Sequence, residues 1–236
     1  MTKKNIFVVC SLLINVFISQ MSQASDCQLI TSVGLGIKTD YCLDVTVQSK
    51  NLATLAGVVV YLEPLSGQVL PASTATLVIN QKNKAFSPYL SVVQSNQAIR
   101  FTNKDDITHH IYSVSADNKF SFKIRAGQSN EQTSFDHQSE LAMGCNIHDW
   151  MNGYLLVLNT PYFAQTDQLG LARFSHVKPG KYQVVVWHPQ METKNNRYMQ
   201  PIMVTDNSHL SVHLTTELSI LPRQQNDDDF DFLSDY

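Results

Sequence analysis

The chain has 236 residues, 43% of them hydrophobic and 16% charged, with a formal charge of −3 at neutral pH. That is enough apolar material for one large or two small globular domains. The near-balanced charge argues against nucleic acid as a partner.

The first 24 residues read as a secretory signal peptide. Lys3 and Lys4 give a positive start, Ile6 to Ile18 is apolar except for Ser11 and Asn15, and Ser22-Gln23-Ala24 supplies small residues for cleavage. The apolar run is too short for a membrane span, and Cys10 lies too deep in it to become a lipid-anchored N-terminus. No other long apolar segment follows, so the mature chain from about Ser25 is expected to be exported, with no membrane span. Removing the two lysines takes the charge from −3 to −5, and five acidic residues against Arg223 in the final fourteen positions contribute −4 of that. The body is therefore nearly neutral, and the tail over 222–236 is expected to be disordered.

Without Cys10, the cysteines are Cys27, Cys42 and Cys145. In an oxidising compartment each must be paired, metal-bound or reactive. Pairing Cys27 with Cys42 closes a loop of about fifteen residues, worth about 3 kcal/mol in the chain-entropy view. It leaves Cys145 for a metal. Pairing Cys145 instead strands another cysteine and leaves its neighbours His148 and Met151 unexplained.

The body reads as β-structure. Ala56 to Leu62, Tyr89 to Val93, Ala98 to Thr102, His110 to Val114 and Phe120 to Ile124 are short and rich in β-branched or aromatic residues. Gly153 to Leu158, Lys181 to Trp187 and Leu210 to Thr216 continue the pattern, with turn formers such as Asn103-Lys104-Asp105-Asp106 and Lys178-Pro179-Gly180 between. Such spacing predicts an all-β sandwich or barrel. A seam near Asn159-Thr160-Pro161 suggests a first domain over 25–158 and a second over 159–221.

The most informative stretch is Cys145-Asn146-Ile147-His148-Asp149-Trp150-Met151, which sets a thiolate, an imidazole and a thioether at i, i+3 and i+6. With four cysteines, eight histidines and seven methionines in the chain, chance yields this spacing far less than once. A second imidazole stands upstream in Thr108-His109-His110-Ile111. Two His, one Cys and a weak axial Met form the ligand set of a blue-copper site. Zinc accepts Cys and His, but its structural sites rarely recruit Met, and its catalytic sites keep an open position.

The segment from Lys84-Ala85-Phe86-Ser87-Pro88 to Leu158 resembles the cupredoxins, in Phe101-Thr102-Asn103-Lys104-Asp105 ahead of His109 and in the short Cys-x2-His-x2-Met loop. His109 to Ser113, Gly144 to Met151, Thr160-Pro161-Tyr162-Phe163 and Val186-Trp187-His188-Pro189 resemble periplasmic proteins called methylamine utilization proteins. There a cupredoxin Greek-key sandwich is joined to a smaller carboxypeptidase-regulatory-like, transthyretin-like module. The resemblance implies one type 1 copper held by His109, Cys145, His148 and Met151, a periplasmic location and a periplasmic redox protein as partner.

Cupredoxins usually carry Asn after the first His ligand, where this chain has His110. Adjacent strand residues point to opposite faces, so His109 is assigned as ligand and His110 as the hydrogen-bonding link between the two ligand loops. Asn146 and Ile147 are expected to aim backbone N–H groups at the thiolate, and Trp150 to exclude water. His188 is expected as a structural turn residue, and Met143 as core. His137, His176, His209 and His213 show no metal spacing. Asp105, Asp106 and Asp149 are expected in solvated turns.

Three functional classes follow: a non-enzymatic blue-copper electron carrier, a protein that hands Cu(I) to an acceptor, and a carbohydrate or protein recognition module on a cupredoxin scaffold. The first is the expected one.

Overall fold

The computed structural model describes residues 40–219 except 52, 116–117 and 133–134. The expected signal peptide, Cys27 and the tail over 222–236 lie outside the described residues. Cys42 is disulfide-bonded, and Cys145 carries a free thiol.

The strands are β1 (Tyr41–Gln48), β2 (Val59–Pro64), β3 (Leu77–Lys82), β4 (Ala85–Ser87), β5 (Leu90–Gln94), β6 (Ile99–Asn103), β7 (His109–Ser113) and β8 (Phe120–Ile124). There follow β9 (Ser129–Gln132), β10 (Ser139–Cys145), β11 (Asn152–Leu158), β12 (Phe163–Gln165), β13 (Leu171–Val177), β14 (Gly180–Trp187), β15 (Arg197–Val204) and β16 (Ser208–His213). No helix among the described residues is long and apolar enough to cross a membrane.

Four sheets form, in the strand orders β4-β3-β6-β9, β5-β11-β10-β7-β8, β12-β2-β14-β15 and β13-β1-β16. The first two enclose one apolar core, which includes Ile79, Phe101, Ile111, Leu141, Leu155 and Val157. The last two enclose another, which includes Leu43, Val60, Leu62, Tyr182, Val184 and Val186.

A third core joins the sandwiches. Val59 and Tyr61 of β2, Val185 and Trp187 of β14, and Leu156 and Leu158 of β11 fill it with Leu90. Successive side chains of a strand leave opposite faces. Val60, Val186 and Val157 therefore enter the outer cores while their neighbours enter the shared one. Burial on both faces explains why β2, β11 and β14 read as unbroken apolar runs rather than alternating ones.

The expected division at residue 158 does not follow the sheets. β1 pairs antiparallel with β13 and parallel with β16, while β2 pairs antiparallel with β14 and β12. The N-terminal strands thus complete the C-terminal sandwich, and the first sandwich comprises β3 to β11. Without β1 and β2, the five strands β12 to β16 would lose the neighbours that join β12 to β14 and β13 to β16.

His188, directly after β14, is buried beside this junction. Its Nδ1 accepts the Gln190 N–H at 3.2 Å, and its carbonyl accepts the Met191 N–H at 3.0 Å. It lines a small cavity with Tyr89, Leu90 and Gln165. Burial pushes its pKa down to about 4. An unfolded chain binds a proton here near pH 6.5, so between about pH 6.5 and pH 4 the unfolded state holds more protons and stability falls with falling pH. The full loss is on the order of 3 kcal/mol. His188→Gln retains an acceptor but does not titrate. Urea unfolding at pH 7 and pH 4.5 is expected to show a smaller acid-induced loss in H188Q than in the parent; equal losses in the two would refute the assignment.

Candidate metal centre

β7 ends a chain segment that is pinned before the strand begins. Asn103 donates through Nδ2 to the carbonyls of Ile107 at 2.7 Å and Ile124 at 3.0 Å, which folds residues 103–107 back onto β8. β7 then alternates. His109 and Ile111 are fully buried, and His110 between them faces the other way, half-buried. His109 is therefore delivered to the core side of the strand.

β10 runs antiparallel to β7, with Cys145 opposite Ile111 and Gly144 opposite Tyr112. A Cβ on Gly144 would lie 2.9 Å from the Tyr112 ring, so a larger residue here would push that ring aside. Leu141, Met143 and Cys145 all point inward. After Cys145 the chain turns, with the Met151 N–H donating to the His148 carbonyl at 3.0 Å, and returns as β11. That turn brings His148 back over Cys145 and seats Met151 in the same core, 1% exposed.

His109, Cys145 and His148 form one buried cluster whose donor atoms all lie within 4.8 Å of one another. Cys145 Sγ is 3.7 Å from His109 Nδ1 and 3.8 Å from His148 Nδ1. The two rings lie 5.1 Å apart at 54°. Metal bonds of about 2.0 Å to nitrogen and about 2.3 Å to sulfur, opened to about 120°, put N and S about 3.7 Å apart; a tetrahedral angle gives about 3.5 Å. The observed separations fit a trigonal set of two imidazoles and one thiolate. Met151 lies in the same buried core as Cys145 and lines a cavity with it.

The electrostatics prepare the sulfur. Burial opposes ionisation of Cys145. Its bond with His109 and the backbone N–H groups of Ile147, His148 and His110 outweigh burial and hold the thiol below its ordinary pKa. Burial likewise opposes a charge on His109, but Cys145 and Asp105 prevail and raise its pKa. Burial, followed by the positive charges of His109 and Lys84, lowers that of His148. Trp150 lies against His148, with ring centres 5.4 Å apart.

Outside the cluster, His110 Nδ1 accepts from Asn146 Nδ2 at 3.1 Å, which leaves the proton on Nε2 to be donated to Ser121 Oγ at 2.8 Å. The Asn146 backbone N–H does not face the sulfur as expected. It donates to the His110 carbonyl at 3.0 Å, because Asn146 continues the pairing of β10 with β7 by one residue. Asp105 also departs from expectation. Its side chain is only 9% exposed and its Oδ2 accepts from His109 Nε2 at 2.8 Å. The signal for it in the sequence was the four-residue spacing from Asp105 to His109 across a bend.

An all-β frame that converges a thiolate and two imidazoles in its core defines a candidate soft-metal centre. The DR_A0283-like, Ig-like domain family matches residues 155–218, from the end of β11 through β16. No curated protein sequence matches the chain. Among solved structures, a Cu-containing nitrite reductase from Thermus scotoductus SA-01 is similar at 18% identity and a TM-score of 0.34, over 40% of this chain and 25% of that one. A methionine-to-glutamine mutant of amicyanin with Cu(I) is similar at 13% identity and a TM-score of 0.32, over 35% and 81%. A purple cupredoxin from Nitrosopumilus maritimus is similar at 21% identity and a TM-score of 0.30, over 35% and 98%. The chemistry of the site rests on its own donors.

Proposed function

We propose that the chain is an exported, periplasmic type 1 copper protein that carries single electrons between redox partners. The observation that carries this reading is the convergence of His109 Nδ1, Cys145 Sγ and His148 Nδ1 in one buried cluster. Bound copper supplies a one-electron Cu(II)/Cu(I) couple. The chain's part is to hold nitrogen donors that suit Cu(II) and sulfur donors that suit Cu(I) in one rigid set. The ligand-bearing segments are fixed by β7–β10 pairing and by the His110–Asn146 bond. With Met151 as a fourth donor the set would be complete and would leave no position for a substrate, so we read a carrier rather than an enzyme.

A copper-delivery role uses the same ligands but needs an acceptor to reach the metal. Burial of His109, Cys145 and His148 at 0%, 4% and 7% exposure weighs against it. The second sandwich shares an apolar core with the first, which suits a carboxypeptidase-regulatory-like module built in as a structural partner.

The test is the visible spectrum of the mature protein after stoichiometric Cu(II). An intense thiolate-to-copper charge-transfer band, lost on reduction and regained on oxidation, is expected. A colourless Cu(II) complex would refute the reading, and rapid loss of Cu(I) to a thiol-rich acceptor would favour delivery.

Met151→Leu keeps nearly the same volume, a swap that usually costs less than about 1.5 kcal/mol. Copper should stay bound in the trigonal set while the reduction potential rises, because a sulfur donor that helps Cu(II) has been withdrawn. Voltammetry showing a lower or unchanged potential would mean that Met151 is not a ligand.

A further inference from the structure

We infer that Asp105 is a positioning residue of the centre: its carboxylate locks the His109 ring from behind and makes the site favour the more oxidised metal. The inference rests on the copper reading above. Asp105 Oδ2 takes the proton of His109 Nε2 at 2.8 Å, which leaves His109 Nδ1 unprotonated and turned towards Cys145 Sγ at 3.7 Å. An imidazole whose far nitrogen donates to a carboxylate is fixed in tautomer and ring orientation and becomes a more basic ligand.

Asp105 is itself immobilised. Its Oδ1 accepts the backbone N–H of Asn83 at 2.6 Å and its Oδ2 that of Lys84 at 2.9 Å. These two residues form the β3–β4 turn, both in the left-handed region with φ 55°, so their consecutive N–H groups converge on one anion. The Asp105 N–H donates to Asn103 Oδ1 at 2.9 Å. Three hydrogen bonds thus tie the carboxylate to the turn and to His109, and the backbone bond anchors the residue to the end of β6. A side chain that served only the turn would need no contact with His109. Here the imidazole is wholly buried and the carboxylate side chain is 9% exposed, so the negative charge acts through the ring with little screening by water.

The N–H nest of Asn83 and Lys84 keeps the anionic form of Asp105 in place, and the ring conveys its charge to the thiolate-lined centre. A fixed negative charge behind a ligand stabilises Cu(II) over Cu(I) and lowers the potential. Asp105→Asn retains an oxygen for His109 Nε2 but removes the charge, whereas Asp105→Glu retains the charge on a longer arm. Loss of such an outer partner typically weakens metal binding by about ten-fold or more. A ten-fold loss confined to Cu(II) is an upward shift of about 59 mV for one electron.

The experiment compares the copper-loaded full chain with D105N and D105E by voltammetry and by visible spectrum. The expected result is a charge-transfer band in all three, a raised potential in D105N and a smaller change in D105E. An unchanged or lower potential in D105N, or equal shifts in both variants, overturns the inference. A parent protein with no charge-transfer band refutes the copper reading instead, so the two failures are distinguishable. Should D105N not fold, the parent Cu(I) protein decides by nitrogen-15 NMR. A slowly exchanging His109 Nε2 proton coupled to the carboxylate supports the inference, and a rapidly exchanging one overturns it.

Discussion

Cys145→Ser is expected to abolish the visible colour of the copper-loaded protein entirely. Both histidines of the centre aim Nδ1 at Cys145 Sγ, at 3.7 and 3.8 Å, and the thiolate is the electron-rich partner in the charge-transfer transition. A serine hydroxyl is smaller and harder, and it stays protonated at neutral pH even among the N–H groups that lower the pKa of the thiol. The two imidazoles can still hold Cu(II), so residual copper by atomic absorption is compatible with complete loss of the band. The fold should survive, because the substitution removes little volume and β10 remains paired with β7 and β11. Thermal unfolding of the metal-free variant close to that of the parent, with no band on adding Cu(II), is the expected pair of results. A variant that stays intensely coloured would show that the sulfur is not a ligand.

The residues that carry their own periodicity were legible. Short β-branched runs such as Val184-Val185-Val186 mark strands whatever their neighbours, and Cys145, His148 and Met151 lie within one turn whose spacing alone brings the donors to one place. What was not legible depends on partners distant in sequence. β10 contains Glu140, Ala142 and Gly144, poor strand formers in isolation. It is a strand because β7 and β11 flank it, and Leu141, Met143 and Cys145 supply the alternating inward face. The place of β1 was hidden for the same reason, since nothing local in Tyr41 to Gln48 says that its neighbours are β13 and β16. Asp105 reads as a solvated turn residue until the β3–β4 turn closes over it with two N–H groups.

The adjacent histidines should part company by spectrum. His109→Ala removes a fully buried donor and opens an equatorial position, and it leaves the Asp105 carboxylate buried without its imidazole. The expected result is loss of the charge-transfer band, with partial recovery on adding imidazole, which can enter the space and offer the missing nitrogen. Stability should also fall, because the buried carboxylate keeps the Asn83 and Lys84 N–H groups but loses its third partner, at a cost of about 1–3 kcal/mol. His110→Ala leaves every donor of the cluster in place. It removes the Nδ1 bond to Asn146 and the Nε2 bond to Ser121, both at exposed positions, so its cost should be about 1 kcal/mol. Its colour should persist, with copper lost faster to a chelator because the link between the two ligand loops is gone. The opposite pattern, a colourless and imidazole-rescued His110→Ala, would require β7 to present its other face to the metal. A shift of one residue in register does that to every side chain of a strand, and it would break the pairing of His109 with Ile124 and of Cys145 with Ile111.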